Sequence, residues 1–353
     1  MISRIGFVRL AMHSFAFLFL AAHARADYLV NGYPGTNRIS DGGVIVGSYL
    51  PPPELSGLYE TAGEDFAVTP DLKTVYQFTN TLGFSNLIFG YDVATGAYLS
   101  DKLLHLGSNP GISEDFIANA TMSLIRPSDP FGAGDLFSVS GFYGYPAGST
   151  PQIKRYNRAT DAYVETIDPP TPQTIFDFAF GPDDRLYLAA ESGVFVYQES
   201  AVGFDLVSPT PLLASATGKL TFGPDGLMYL LNPSADSIER YTIGGTLIDS
   251  FASISLDGFD GVLFGSRNFS IQFGVDGNLH VLAGPNTINK YDGTSGSLIA
   301  TTIFQGVDPN FPDFPYALQG RVVYLAVPEP SSFLLAAVGL LLAPSRSRRG
   351  RRY

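Results

Sequence analysis

The residues with the clearest potential for chemistry are acidic or amide side chains that each precede a phenylalanine. Asp65 and Asp177 share the same offset, six residues before Asp71 and Asp183, within two related segments. Carboxylate and amide oxygens are the ligands that a hard cation such as Ca²⁺ prefers. If the fold brings these side chains together, the candidate ligands of one divalent metal are Asp65, Asp177, Asn268 and Asp313.

The same pattern has a structural alternative. The aspartates could accept hydrogen bonds from backbone amides of neighbouring segments and so stabilise the fold. Lys219 also stands at the position of a further repeat that corresponds to Asp65 and Asp177, and a lysine supplies no oxygen ligand. The sequence therefore leaves a calcium site and a set of structural hydrogen bonds both open.

Other catalytic chemistry has few side chains to use. The chain has no cysteine, which excludes disulfides, thiolate metal ligands and a cysteine nucleophile. Only His105 and His280 lie outside the N-terminal leader described below, too few for a histidine-rich zinc site, and neither belongs to a Ser-His-Asp motif. His280 takes the place of a tyrosine in a repeated strand, so we expect it to pack rather than to catalyse.

One segment recurs along the body of the chain. Clear copies begin at Phe180, Phe222 and Phe273, and read Phe-Gly-Pro-Asp-Asp-Arg-Leu-Tyr-Leu, Phe-Gly-Pro-Asp-Gly-Leu-Met-Tyr-Leu and Phe-Gly-Val-Asp-Gly-Asn-Leu-His-Val. A weaker copy begins at Val68. Proline fixes one φ angle, aspartate caps the turn and glycine adopts a positive φ. Each copy therefore predicts a tight turn followed by an alternating apolar strand.

The repeat predicts an all-β fold, a β-propeller. The aspartates of the clear copies lie 42 and 51 residues apart, and a repeat of about 40 to 60 residues with four short strands is typical of a propeller blade. We predict six blades, with seven as the alternative. Five fall at residues 60–105, 115–168, 174–208, 217–252 and 266–305, and residues 28–39 and 313–326 from the two termini would close the sixth.

The turn signature resembles that of the NHL, strictosidine-synthase-like and gluconolactonase-like propellers, most clearly over residues 175–300. This resemblance implies a fold that enzymes, binding proteins and scaffolds share, so it implies no single activity. The related lactonases hold a divalent metal in the central channel with a carboxylate and amides from different blades. The resemblance thus places Asp65, Asp177, Asn268 and Asp313 around that channel.

The first 26 residues have the pattern of a secretory signal peptide. Arg4 and Arg9 form a positive segment, residues 10–22 are largely apolar, and an Ala-Arg-Ala sequence ends at Ala26. We predict cleavage after Ala26, so that the exported mature chain begins at Asp27.

The C-terminus carries a short motif, Val327, Pro328, Glu329 and Pro330, then an apolar stretch at residues 333–343 and five arginines. The stretch makes about 16 Å of helix at 1.5 Å per residue, too short for a stable span of about 30 Å. This order resembles the PEP-CTERM sorting signal of Gram-negative bacteria. The resemblance implies processing by an exosortase, transient anchoring in the inner membrane, and delivery to the cell surface or extracellular matrix. The predicted domains are a signal peptide (1–26), a propeller (27–327) and a sorting signal (328–353).

The predicted mature body is strongly acidic. Residues 27–327 contain 13 basic and 32 acidic side chains, a net charge of −19. Such a field repels nucleic acid and anionic lipid headgroups, and it is compatible with cations or with neutral extracellular polysaccharide.

Two functions from different classes follow. The first is a non-catalytic surface or matrix protein, and the second is a divalent-metal-dependent, lactonase-like hydrolase. They differ in whether the four candidate oxygen ligands converge on a cation.

Overall fold

A computed structural model describes residues 25–32, 35–49, 63–69, 72–79, 87–102, 122–124, 135–140, 151–157, 160, 162–214, 218–232, 235–254, 270–284, 287–304 and 322–327. Asp27–Leu325 forms one compact unit. The predicted signal peptide up to residue 24 and the predicted C-terminal helix lie outside the described residues. Within the described ranges every regular element is a β-strand, and no helix there could span a membrane.

The described strands form six sheets. The first contains β1 (Arg25–Gly32), β2 (Gly35–Ser40), β3 (Ile45–Tyr49) and β25 (Val322–Val327). The second contains β4 (Gly63–Val68), β5 (Thr74–Thr79), β6 (Leu87–Asp92) and β7 (Tyr98–Lys102). The third contains β8 (Met122–Leu124), β9 (Leu136–Ser140), β10 (Gln152–Asn157) and β11 (Ala162–Ile167).

The fourth sheet contains β12 (Ile175–Phe180), β13 (Leu186–Ala190), β14 (Gly193–Ser200), β15 (Gly203–Leu206) and the short β16 (Leu213–Ala214). The fifth contains β17 (Leu220–Phe222), β18 (Met228–Asn232), β19 (Ser237–Tyr241) and β20 (Leu247–Ser253). The sixth contains β21 (Ser270–Phe273), β22 (Leu279–Gly284), β23 (Thr287–Tyr291) and β24 (Leu298–Ile303).

The first sheet joins the two ends of the propeller body. Its order is β25-β1-β2-β3, so the last strand pairs with the first. This confirms the prediction that both termini complete one blade, an arrangement that covers strand edges which would otherwise be open. The strands of the other five sheets lie inside the predicted blade ranges, apart from Ser253, which is one residue beyond its range, and the additional β16. The prediction of an all-β propeller is confirmed.

The first strands of neighbouring sheets lie side by side. β4 contacts β8, β12 contacts β17, and β17 contacts β21. These are the inner strands of their blades, and the fourth strand of each sheet lies at the opposite edge. Side chains on an inner strand can therefore meet the next blade.

The repeated turn uses a left-handed backbone at one position. Gly226 and Gly277 adopt φ angles of +77° and +74°, as the sequence predicted, while Asp184 and Leu72 occupy the same place with φ angles of +60° and +55°. The aspartate before it caps the turn: Asp225 Oδ1, for example, accepts a hydrogen bond from the backbone N–H of Leu227 at 3.1 Å.

We expect Gly277→Ala to lower the free energy of unfolding by about 1–2 kcal/mol, the cost of a left-handed conformation for an L-residue. An added Cβ at Gly277 meets nothing within 4 Å, so the effect isolates the backbone strain. Chemical denaturation measures it. Gly47→Ala is the matched control, since a Cβ there also meets nothing within 4 Å but the φ angle is not positive. Equal stability of the two variants would contradict the prediction.

A second glycine in each turn allows the backbone to lie close to the ring of a strand residue. This glycine lies against the ring of the strand residue six positions later, and a Cβ on it would come within 2.6–2.8 Å of that ring. The pairs are Gly181 with Tyr187, Gly223 with Tyr229, and Gly274 with His280.

The same ring also packs against the inner strand of the next blade. The ring pairs are Tyr187 with Phe222 (centroids 4.9 Å apart), Tyr229 with Phe273 (4.8 Å) and His280 with Tyr324 (4.2 Å). One aromatic contact therefore recurs between successive blades, and His280 takes its place in the contact with the closing blade.

Candidate functional site

The predicted site residue Asp177 connects two inner strands. It lies near the start of β12 and is 6% exposed. Its Oδ1 accepts a hydrogen bond from the backbone N–H of Phe178 at 2.9 Å, and its Oδ2 accepts one from the backbone N–H of Leu220 on β17 at 3.1 Å. Lys219 Nζ donates to the carbonyl oxygen of Phe176 at 2.8 Å. The carboxylate and the ammonium group thus tie adjacent blades together.

Asp65 occupies the equivalent backbone position on β4. In both inner strands the register shifts just before the aspartate, between Gly63 and Asp65 and between Ile175 and Asp177. The shared sequence offset therefore corresponds to a shared place in two sheets. The other two predicted ligands, Asn268 and Asp313, lie outside the described residues.

A calcium site consequently stays a prediction. Across the described strands and turns, no group of three or more His, Asp or Glu side chains is arranged to hold a metal ion. The positively charged ammonium group of Lys219 lies at the same junction, between β12 and β17.

A second polar cluster surrounds His280 on β22, whose side chain is fully buried, as its place in the repeat predicted. The ring stacks on Tyr324 of β25 with an interplanar angle of 16°, and meets the edge of Tyr28 on β1 at 5.5 Å. His280 Nε2 lies 3.2 Å from Asp276 Oδ1. Lys290 Nζ lies 2.8 Å from Asp276 Oδ2 and 5.2 Å from the centre of the Tyr324 ring.

Burial and hydrogen bonding set the charges in this His280 cluster. Burial alone would raise the pKa of Asp276, but hydrogen bonds from His280, Lys290 and Asn278 hold it below its usual range. Burial lowers the pKa of His280, and the bond to Asp276 offsets only part of that shift. His280 is therefore neutral at pH 7 and donates its Nε2–H to the ionised carboxylate.

A third cluster, unsuspected from the sequence, joins the β8–β11 sheet to the β12–β15 sheet. Arg155 Nε on β10 donates to Asp135 Oδ2 at 2.5 Å. Its Nη1 lies 2.9 Å from Glu165 Oε1 and 2.8 Å from Glu199 Oε1. The guanidinium also lies 5.4 Å from the centre of the Phe204 ring. Burial opposes the charge of Arg155, but bonds to Glu165 and Asp135 raise its pKa above the usual value.

The three clusters have one property in common. In each cluster a charged group bonds to partners within the protein. The Asp177 and Arg155 clusters each span two blades. Asp276 supports His280, whose ring contacts the closing blade. Their geometry is that of contacts between blades. In the sequence, the His280 cluster is indicated by a histidine at a repeat position that otherwise holds tyrosine. No sequence pattern indicates the Arg155 cluster.

The chain resembles several solved structures, each at low identity and with a TM-score below 0.5. A putative 6-phosphogluconolactonase from Bacteroides uniformis is 14% identical with a TM-score of 0.47, covering 81% of this chain and 86% of its own. The periplasmic gluconolactonase PpgL from Pseudomonas aeruginosa is 15% identical with a TM-score of 0.45, covering 86% and 100%. Virginiamycin B lyase from Staphylococcus aureus is 16% identical with a TM-score of 0.41, covering 70% and 71%.

The C-terminus gives a more specific result. No curated protein matches the chain as a relative. Residues 326–352, however, match the family model of the PEP-CTERM protein-sorting motif, as the predicted order of motif, apolar stretch and arginines implied. The chain therefore carries a PEP-CTERM protein-sorting motif at its C-terminus, following a body with the β-propeller fold.

Proposed function

We propose that this chain is an exported β-propeller protein of the cell surface or extracellular matrix, which binds or supports other components and does not catalyse a reaction. An exosortase processes its C-terminus, after transient anchoring in the inner membrane of a Gram-negative cell. The mature protein then contacts neutral extracellular polysaccharide.

The observation that carries this proposal is the PEP-CTERM motif at residues 326–352. Such a motif implies export and sorting to the Gram-negative cell envelope, and the predicted signal peptide at residues 1–26 agrees with it. The net charge of −19 over residues 27–327 disfavours nucleic acid and anionic lipid as partners and leaves neutral polymers compatible.

The use of the charged side chains supports a non-catalytic role. A general acid or base must reach a substrate, yet His280 is fully buried and hydrogen-bonded to Asp276. Both oxygens of Asp177 accept bonds from backbone amides. These groups therefore stabilise the contacts between blades.

Expression with and without an exosortase tests the proposal. The full chain is expressed in a Gram-negative host, and envelope fractions are probed by immunoblotting. We expect exosortase-dependent loss of about 2–3 kDa, the size of the C-terminal segment, and release from the inner membrane. A variant with Pro328, Glu329 and Pro330 changed to alanine should remain unprocessed in the inner membrane. Pro53→Ala/Glu54→Ala changes similar residue types elsewhere and should be processed normally; a cytoplasmic chain would contradict the proposal.

One observation favours the second candidate function, a metal-dependent hydrolase of the lactonase type. Asp65 and Asp177 follow equivalent register shifts on two inner strands, where ligands from different blades could approach one channel. The cation would be Ca²⁺, with Asn268 or Asp313 as further ligands.

Calorimetry with Ca²⁺ separates the two functions. After chelation, the full chain in detergent is titrated with Ca²⁺ beside an Asp65→Asn/Asp177→Asn variant and an Asp205→Asn control at an exposed aspartate. Under the non-catalytic proposal we expect no micromolar binding that depends on Asp65 and Asp177. Micromolar binding that the double variant loses and the control keeps would favour the hydrolase, and a screen of lactone substrates would follow.

A further inference from the structure

Two fully buried side chains in the first and second sheets carry polar atoms without partners. Thr36 on β2 and Gln77 on β5 are both 0% exposed. Among the described residues, Thr36 Oγ1 and both polar atoms of the Gln77 amide, Oε1 and Nε2, find no hydrogen-bond partner. Buried polar atoms in native proteins are usually bonded to protein or to ordered water. Each of these three atoms therefore calls for a partner that the protein itself does not supply.

The strands give both residues defined places in the repeat. Gln77 directly follows the tyrosine of its repeat, Tyr76, as Leu188 follows Tyr187. Thr36 is the second residue of the third strand of its sheet, counted from the inner strand. The residues that occupy this second place in the third, fourth and fifth sheets are Ile153, Val194 and Ile238.

These two places face each other wherever successive sheets pack. At three junctions an apolar residue at the first place and an apolar residue of the next sheet at the second place lie in one buried cluster. The pairs are Ile153 with Leu188, Val194 with Leu230, and Ile238 with Val281. Thr36 and Gln77 hold the same two places in the first and second sheets, which contact each other through β2 and β4. A polar pair therefore replaces an apolar pair at this junction.

Tyr91 on β6 adds a hydroxyl to the same junction. Its ring meets the ring of Tyr49 with centroids 5.6 Å apart, and Tyr49 pairs with Thr36 across β2 and β3. Tyr91 itself pairs with Val75, which lies two residues before Gln77 and so on the same face of β5. The Tyr91 hydroxyl is also buried and, in the described part of the chain, without a hydrogen-bond partner.

The chemistry of these groups indicates a small, uncharged partner. Hydroxyl groups donate and accept, and the glutamine amide donates at Nε2 and accepts at Oε1, so the partner must do both. The unpartnered carboxylate oxygen of Asp27 lies about 13 Å along the strands, because Asp27 pairs with Ser40, four residues from Thr36. Threonine is also smaller than the isoleucine at this place in two of the other pairs. Water fits, since buried waters typically make about three hydrogen bonds to such groups.

We propose that the junction between the first and second sheets contains a buried water site, in which at least one water molecule bridges Thr36 and Gln77 and extends the hydrogen bonding to Tyr91. The site gives the ring a hydrated junction beside the sheet that both termini complete. It goes beyond the proposed function, because it depends neither on the polysaccharide contact nor on processing by the exosortase.

The sign of the effect of Thr36→Val tests the site. Valine keeps the shape of threonine and removes only the hydroxyl. Deleting an unpaired buried hydroxyl would remove a desolvation penalty and stabilise the protein, whereas deleting one that binds a bridging water costs a hydrogen bond. We expect the folding equilibrium constant of the full chain, measured by chemical denaturation in detergent, to fall on the order of fivefold. An unchanged or increased constant would overturn the proposal.

A double-mutant cycle tests whether Thr36 and Gln77 share one partner. Thr36→Val/Gln77→Leu recreates the apolar pair that Val194 and Leu230 form elsewhere, so it should lose less stability than the two single variants together. Gln198→Leu is the matched control, because Gln198 is exposed on β14 and its effect should simply add to that of Thr36→Val. Additive effects of Thr36→Val and Gln77→Leu would overturn the proposal.

A crystal structure of the protein distinguishes a bridging water from a direct bond, which would also couple the two residues. We expect an ordered water at about 2.7–3.2 Å from both Thr36 Oγ1 and the Gln77 amide. A direct hydrogen bond between the two side chains, with no water beside them, would overturn the proposal.

Discussion

Replacing Arg155 with alanine is expected to lower the free energy of unfolding by about 3 kcal/mol, measured by chemical denaturation at pH 7. The side chain of Arg155 is 17% exposed and contacts three carboxylates, those of Asp135, Glu165 and Glu199. Without the guanidinium, these partly buried charges face one another with no cation between them.

Arg185→Ala is the control for this experiment. Arg185 also lies near a carboxylate, but its side chain is 44% exposed and 3.8 Å from Asp183. An exposed ion pair contributes about 0–1 kcal/mol. If Arg155→Ala destabilised the protein no more than Arg185→Ala, the Arg155 cluster would not stabilise the contact between blades as its geometry indicates.

The His280 cluster should make the wild-type propeller sensitive to acid. The folded-state pKa of His280 lies below its unfolded value of about 6.5, so the unfolded chain binds a proton that the folded chain does not. Stability therefore falls as the pH drops below about 6.5, by up to about 1.4 kcal/mol per pH unit, until the pH reaches the folded-state pKa. Protonation of Asp276, whose pKa is also lowered, adds a further loss below about pH 4.

His280→Tyr restores the residue that the other clear repeats use. Tyr187 and Tyr229 donate hydrogen bonds to their turn aspartates at 3.1 and 2.8 Å and do not titrate near neutral pH. We therefore expect the variant to lose less stability than the wild type between pH 6.5 and 4.5, measured as the denaturation midpoint at each pH. Parallel pH profiles would contradict this account of His280.

Local sequence patterns predicted most of the fold. The turn repeat located the blades because its spacing, its glycines and its alternating strands are encoded within a few residues, as at Gly226 and Gly277. Closure by both termini was predicted from the two terminal segments, residues 28–39 and 313–326. The same reasoning placed Asp65 and Asp177 at equivalent positions and His280 in the interior.

Contacts between blades were harder to predict. Arg155 meets Glu199 across 44 residues of sequence, and no local motif indicates that the two approach. Likewise, Tyr324 stacks on His280 only because the C-terminal strand closes the ring beside the sixth sheet. Such partners depend on tertiary geometry, which the repeat pattern does not specify residue by residue.

The most direct test of the central proposal is the intact mass of the protein recovered from the envelope of cells that contain an exosortase. We expect a chain that begins at Asp27 and has lost the C-terminal sorting signal at residues 328–353, whereas cells without the exosortase yield a chain that begins at Asp27 and extends to Tyr353. A chain that retains its C-terminus in both strains would contradict it.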